Sequence, residues 1–189
     1  MPKAAVFRTL GASNHSKGKR AHKDFYSTDP QAVEMLLQLE PFSDRILEPA
    51  CGVGHICEVL KKHGKKVKCS DIVYRGYGEQ KDFFKYRSFK GDIITNPPYS
   101  KALEFVEHSL RIIPKGNKVA MLLRLLFLEG KARGEFFKRN PPKTVYVSRS
   151  RIVCARNGDF KKYNTSAQAY AWFVWQKGHK GNTTVKWFN

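Results

Sequence analysis

The chain has 189 residues, enough for one domain with a sizeable core and small for two. Hydrophobic residues make up 41%, which excludes a wholly disordered chain. Lys and Arg number 35 against 16 Asp and Glu, a formal charge of +19 that calls for a polyanionic partner.

Residues 1–23 read as a basic, flexible tail: the first 24 residues hold six basic side chains and one acid, Asp24. From residue 24 to 189 a single folded domain is expected, with helices and strands alternating. Asp29 caps a first helix that has Pro30 at its opening position and Val33, Leu36 and Leu37 on one face. Arg45 to Leu47 is a short strand, followed by a glycine turn and a helix from His55 to about Lys62 that ends near Gly64. Lys65 to Ser70 is a second strand, closed by Asp71, and Ile93 to Thr95 a third. Ser100 is placed to cap the next helix, with Leu103, Val106, Leu110 and Ile113 at apolar spacing. Lys118 to Leu123 is a fourth strand and Glu129 to Lys138 a helix. Lys143 to Ser148 and Ala169 to Gln176 are late strands, expected as an antiparallel pair at the sheet edge. The whole is an α/β sheet with helices on both faces, whose ligands bind outside the carboxyl ends of the strands.

The longest apolar run, Val119 to Leu128, is broken by Arg124 and falls short of the roughly 20 residues a membrane span needs. The N-terminus lacks a secretory signal pattern. Cys51, Cys57, Cys69 and Cys154 show no C-x-x-C spacing, so the expectation is reduced thiols in a cytosolic protein, with no disulfide framework. The six histidines form no ligand pair, and no metal is expected.

The first strand runs into Glu48-Pro49-Ala50-Cys51-Gly52-Val53-Gly54. Gly52 and Gly54 allow a tight turn close to a ligand. Asp71, seventeen residues past Gly54, ends the next strand, where an acid accepts from ribose hydroxyls. The third glycine of the dinucleotide fingerprint is missing, and Glu48 would repel a pyrophosphate. A cationic or zwitterionic ligand suits the pattern, and S-adenosylmethionine fits it through its sulfonium and α-ammonium. Asp82 and Phe83 lie between the second and third strands, where Asp82 could accept from an adenine amino group and Phe83 stack on the ring. Phe25, Tyr26 and Thr28 precede the first helix, where a loop can close over the methionine end; core packing is the other reading for Phe25 and Tyr26.

Asn96-Pro97-Pro98-Tyr99, directly after a strand, is the most specific pattern in the chain. An exocyclic amino nitrogen is a poor nucleophile because its lone pair is delocalised into the ring. The Asn96 side-chain oxygen and the Pro97 carbonyl could accept its two hydrogens and favour a pyramidal nitrogen. Pro97 and Pro98 stiffen the loop, and Tyr99 supplies a face for a planar group. A base in a duplex would be flipped out to reach this loop.

The order Phe-Tyr-Ser-Thr, Glu-Pro-Ala-Cys-Gly-Val-Gly, Asp71, Asp82-Phe83, Asn-Pro-Pro-Tyr resembles the amino-methyltransferases, most of all small phage- or prophage-type DNA adenine-N6 methyltransferases. The resemblance covers about residues 24 to 128 and the rest more loosely. It implies a Rossmann-like class I methyltransferase fold, with a mostly parallel seven-stranded sheet and a final antiparallel hairpin. It also implies S-adenosylmethionine as cofactor, S-adenosylhomocysteine as product, DNA as partner, and a phage- or prophage-encoded enzyme in a bacterial cytoplasm. The tetrapeptide also occurs in RNA adenine and protein glutamine methyltransferases, so it fixes the reaction type better than the substrate.

One departure concerns recognition. Restriction-type enzymes carry a sizeable target-recognition domain, and most of the about sixty residues after Leu128 are needed to finish the sheet. The candidate reader is the loop 149–168, in which Arg149, Arg151, Arg156, Lys161 and Lys162 alternate with Phe160 and Tyr163. A mobile solvated loop is the plainer reading of that stretch. From Lys138 to the end there are eleven basic residues and one acid. The expected specificity is low or short. Rival readings are an RNA adenine methyltransferase, a protein glutamine methyltransferase, against which the charge argues, and a nucleic-acid-binding module without activity.

Overall fold

The computed structural model describes residues 26–150, 152, 154–156 and 168–188. The basic tail, Phe25, Arg151, Lys161 and Lys162 lie outside these residues, as does most of the loop 149–168.

The first strand of the main sheet, β2 (Arg45–Glu48), pairs in parallel with β3 (Lys66–Asp71) on one side and β5 (Asp92–Thr95) on the other. The two-residue β4 (Glu79–Gln80) extends the sheet beyond β3. Beyond β5 come β6 (Lys118–Arg124), β9 (Tyr170–Gln176), β7 (Thr144–Ser148) and β10 (Thr184–Phe188). β9 is antiparallel to both of its neighbours, and every other pairing in the sheet is parallel. The chain leaves β2 toward β3 and β4, then returns to lay β5 on its other flank. That reversal opens a crevice at the carboxyl ends of β2 and β5.

Among the described residues the sheet has eight strands, one more than expected, and the late hairpin is not its edge: β10 lies outside β7 and parallel to it. A second, two-stranded ribbon pairs β1 (Tyr26–Thr28) with β8 (Cys154–Arg156), matching Tyr26 with Arg156 and Thr28 with Cys154.

Helices α1 (Pro30–Leu39) and α2 (His55–Lys62) supply one apolar layer, built around Val33, Leu36, Leu60, Tyr146 and Trp172. Helices α3 (Ala102–Ile112) and α4 (Lys131–Arg139) supply the other, around Phe105, Val106, Phe136, Phe173 and Trp175. Each buried indole keeps a partner: Trp172 Nε1 donates to the Ala32 carbonyl and Trp175 Nε1 to that of Asn140. The Asp29 carboxylate accepts from the Gln31 N–H at 2.9 Å, as an N-cap should. Ser100 does not cap α3; it sits in a 3₁₀ turn over Tyr99–Lys101, because the stiff Pro97-Pro98 pair delays the helix.

At the amino ends of the strands, Asp92 staples three segments. It accepts from the N–H groups of Ser43 (2.6 Å) and Lys118 (2.8 Å) and from the Asn117 amide (2.7 Å). One cysteine expectation fails: Cys57 of α2 and Cys69 of β3 form a disulfide, while Cys51 and Cys154 are free. Adjacent α2 and β3 bring the two thiols face to face although they are 12 residues apart.

Candidate active site

Most of the functional residues read from the sequence converge on the β2/β5 crevice. Glu48, the last residue of β2, is fully buried. Its Oε1 accepts from the Ala50 N–H (3.0 Å) and from Thr95 Oγ1 (2.6 Å), which lies at the end of β5. Its Oε2 is buried with no hydrogen-bond partner among the described residues. Burial lifts the Glu48 carboxyl from its ordinary 4.5 to about 8, against the pull of its bonds to Thr95 and Ala50, and the nearby Asp71 charge adds to the rise. An orphaned carboxylate oxygen in a dry site suits a cationic group.

Gly52 follows, in a left-handed turn with φ of 55°, and its N–H donates to Asp71 Oδ2 at 3.0 Å. Asp71 Oδ1 also accepts from the Val73 N–H (2.9 Å) and the Arg75 guanidinium (3.2 Å). The Asp71 carbonyl takes the Lys81 N–H, which brings Asp82 beside it. Asp82 Oδ1 caps the 3₁₀ turn Phe83–Lys85 through the Phe84 N–H.

Asn96 and the residues after it leave β5 next to this turn. The Asn96 amide nitrogen donates to Thr28 Oγ1 at 3.0 Å, which sets the amide oxygen as the acceptor end. Pro49 and Pro97 are buried, so neither turn is free to slide. Thus hydrogen bonds and chain neighbours together bring Thr28, Glu48, Ala50, Gly52, Asp71, Asp82 and Asn96 to one end of β1, β2, β3 and β5.

Three assigned roles change. The Phe83 ring is only 2% exposed and packs on Phe105 and His108 at 4.7 Å between ring centres, so it is a core side chain and not a stacking face. Its neighbour Phe84 is the exposed ring. Gly54, with φ of +96°, is required by the protein itself: a Cβ there would meet the Tyr77 ring at 2.6 Å. Tyr99 is half-buried and covered, with the Arg124 guanidinium 4.6 Å from its ring centre and Tyr170 at 5.8 Å. Burial, with Cys154 and Tyr170 close by, holds its hydroxyl well above the ordinary range.

The sequence reading missed Thr95, Arg75, Arg124 and Tyr170. Arg124 carried a signal: it is the one charge inside the apolar run from Val119 to Leu128. Cys51 is not a candidate nucleophile, since burial and the Glu48 and Asp71 charges push its thiol up to about 12. Arg149 continues from β7 with its N–H on the Phe188 carbonyl (3.2 Å), and Arg156 belongs to β8, so these two arginines of the basic loop sit on or beside described strands. Among the described residues no group of His, Cys, Asp or Glu is placed to hold a metal. No helix there is long and apolar enough to cross a membrane.

No protein-family model matches the chain, and no curated protein matches it in sequence. Solved structures do match in fold. A candidate RNA methyltransferase from Pyrococcus horikoshii superposes with a TM-score of 0.60 at 14% identity, over 93% of this chain and 99% of that one. The modification subunit of a candidate type I restriction enzyme from Vibrio vulnificus gives 0.59 at 13% identity, covering 95% of this chain. This chain spans 48% of the length of that subunit. A candidate O-methyltransferase from Agrobacterium tumefaciens gives 0.59 at 12% identity, over 84% and 85% of the two chains. The chain therefore has the mixed, mostly parallel α/β fold of the class I S-adenosylmethionine-dependent methyltransferases.

Proposed function

We propose that this protein is an S-adenosylmethionine-dependent methyltransferase that methylates the N6 amino group of adenine in DNA, with low or short sequence specificity. The observation that carries the reading is that Asn96, held by Thr28, directly follows Thr95, whose hydroxyl bonds Glu48, while Gly52 on the turn after Glu48 bonds Asp71. A methyl-donor site and an amino-acceptor site need to be this close and this rigid for in-line transfer.

The cofactor would supply an electrophilic methyl group. Glu48, with its unpartnered oxygen, would hold the cationic methionine end, Asp71 the ribose hydroxyls and Asp82 the adenine amino group, with the Gly52 turn between them. Asn96 Oδ1 and the Pro97 carbonyl would accept the two hydrogens of the target amino group and steer its lone pair toward the methyl. Tyr99, with its ring already covered by Arg124, would hold the loop from below or take a base once Arg124 swings aside. The charge of +19 supports a nucleic-acid substrate, and β8 roots the basic loop beside Thr28.

RNA is the second reading. It is favoured by the fold match with the Pyrococcus candidate RNA methyltransferase, which covers 93% of this chain and 99% of that one. Incubation with labelled cofactor and DNA, RNA or protein, followed by mass spectrometry of the modified unit, separates these cases. N6-methyladenine in DNA is expected. Label confined to RNA would favour the second reading, and label on glutamine alone would remove nucleic acid as the substrate.

A further inference from the structure

Among the described residues β10 is the outermost strand, paired with β7 on one side and open on the other. Its register sets Val185 opposite Val145 and Trp187 opposite Val147, so both continue the face of the sheet that α3 and α4 cover elsewhere. Here that cover has ended: Trp187 is 65% exposed and Val185 46%. The other two tryptophans, Trp172 and Trp175, are 0% and 1% exposed. An indole left in water on an edge strand contributes little to the fold, and its flat face is the natural partner of a planar group.

The surroundings say which planar group. Residues 129–150 and 168–188, which build α4, β7, β9 and β10, hold nine Lys and Arg against two acids, Glu129 and Glu135. Arg149 sits beside the end of β10 through its N–H on Phe188, and Lys186, between Val185 and Trp187, adds a charge on the opposite face of the same edge strand. Two such edges from two copies would set like charge against like charge, which disfavours self-pairing along the open edge. A polyanion carrying planar bases meets both features at once.

We infer that the β10 edge binds a single-stranded stretch of nucleic acid, with Trp187 stacking on one unpaired base and the surrounding cations taking the phosphates. This rests on the nucleic-acid reading proposed above and adds a contact outside the crevice. β10 runs parallel to β7, and through the antiparallel β9 both share direction with β6 and β5. Trp187, one residue from the carboxyl end of β10, therefore faces the same rim as Asn96. Four strand spacings separate the two, about 19 Å, or five to six base rises of about 3.4 Å. One strand could reach both points.

The test uses the full chain and a short fluorescein-labelled oligothymidylate, which lacks adenine and so separates binding from methylation. With Trp172 and Trp175 buried, oligothymidylate should quench the intrinsic fluorescence of Trp187 in the wild type. By anisotropy, Trp187→Ala should bind about tenfold more weakly, and Trp187→Phe should keep most of the affinity. Melting temperatures should be unchanged, since the side chain is exposed. Equal affinity of wild type and Trp187→Ala would overturn the inference, as would equal losses in the alanine and phenylalanine variants. A dimer in which iodide cannot reach Trp187 would assign the edge to a second copy instead. Failure of the underlying reading looks different: wild type and variants alike would then bind no nucleic acid and methylate none.

Discussion

Glu48→Gln separates what the site costs the fold from what it does for a ligand. The carboxyl sits at about 8 in the folded protein against an ordinary 4.5, and the side chain is 0% exposed, so solvent screening offers no discount. A raised folded value means the native state holds its proton while the unfolded chain has lost it. Stability is then full below about pH 4.5, falls as pH rises toward 8, and levels off above. At about 1.4 kcal/mol per pH unit, the loss between pH 5 and pH 9 is on the order of 4 kcal/mol. Glutamine has no such proton. Its amide oxygen can still accept from Ala50 and Thr95, while its NH₂ leaves a buried donor unmet at a cost of about 1–3 kcal/mol. The variant should therefore match or trail the wild type at pH 5 and exceed it at pH 9. The wild-type-minus-variant difference in urea-unfolding free energy should move by on the order of 4 kcal/mol between the two pH values. Parallel pH profiles would refute the assignment. The same variant should bind S-adenosylmethionine more weakly. Wild-type binding at pH 7 should release close to one proton, read by titration calorimetry in buffers of different ionisation enthalpy; no release would detach Glu48 from the cationic end of the cofactor.

Four further outcomes follow from the same geometry. Asn96→Ala should abolish turnover while cofactor binding survives, since the residue holds the acceptor and not the donor; turnover like the wild type would remove it from the chemistry. Asp71→Asn should weaken cofactor binding about tenfold or more, on the order of one or two lost charge-assisted hydrogen bonds, and calorimetry with an unchanged affinity would take Asp71 out of the ribose site. Asp92→Ala strands the N–H groups of Ser43 and Lys118 and the Asn117 amide, so it should cost about 3 kcal/mol in urea unfolding; a loss near zero would show that the staple is redundant. Nucleic-acid affinity should fall steeply between low and moderate salt, and a flat response would undo the polyanion argument.

The sequence made the parts of this site legible wherever one residue type has one strong reason to stand where it does. Asp29 before Pro30 announced α1, the Gly52 turn announced the end of β2, and Asn96-Pro97-Pro98 announced the end of β5. It hid whatever depends on distant partners. Thr95 is an ordinary strand threonine until β5 lies beside β2 and its hydroxyl finds Glu48, 47 positions away. Cys57 and Cys69 have no telling spacing, and only the packing of α2 on β3 joins them. Phe83 next to Asp82 looked like a stacking ring because a dipeptide does not say to which side a ring turns. The strands β1, β4 and β8 have two or three residues each, too few for any periodicity, and β10 is solvent-facing along most of its length.

The β1–β8 ribbon gives the molecule a built-in order of events. Thr28 on β1 holds the Asn96 amide, while Cys154, its partner in register on β8, lies against Tyr99. The strand that holds Asn96 is thus hydrogen-bonded to β8, which lies within the basic stretch 149–168. On the proposed nucleic-acid reading, a phosphate backbone bound next to β8 would act on both ends of the Asn96–Tyr99 loop together. Linkage then requires the reverse: filling the crevice should tighten the loop's hold on its polyanion by the same factor. Such an enzyme would scan loosely when empty and commit when charged with its methyl donor.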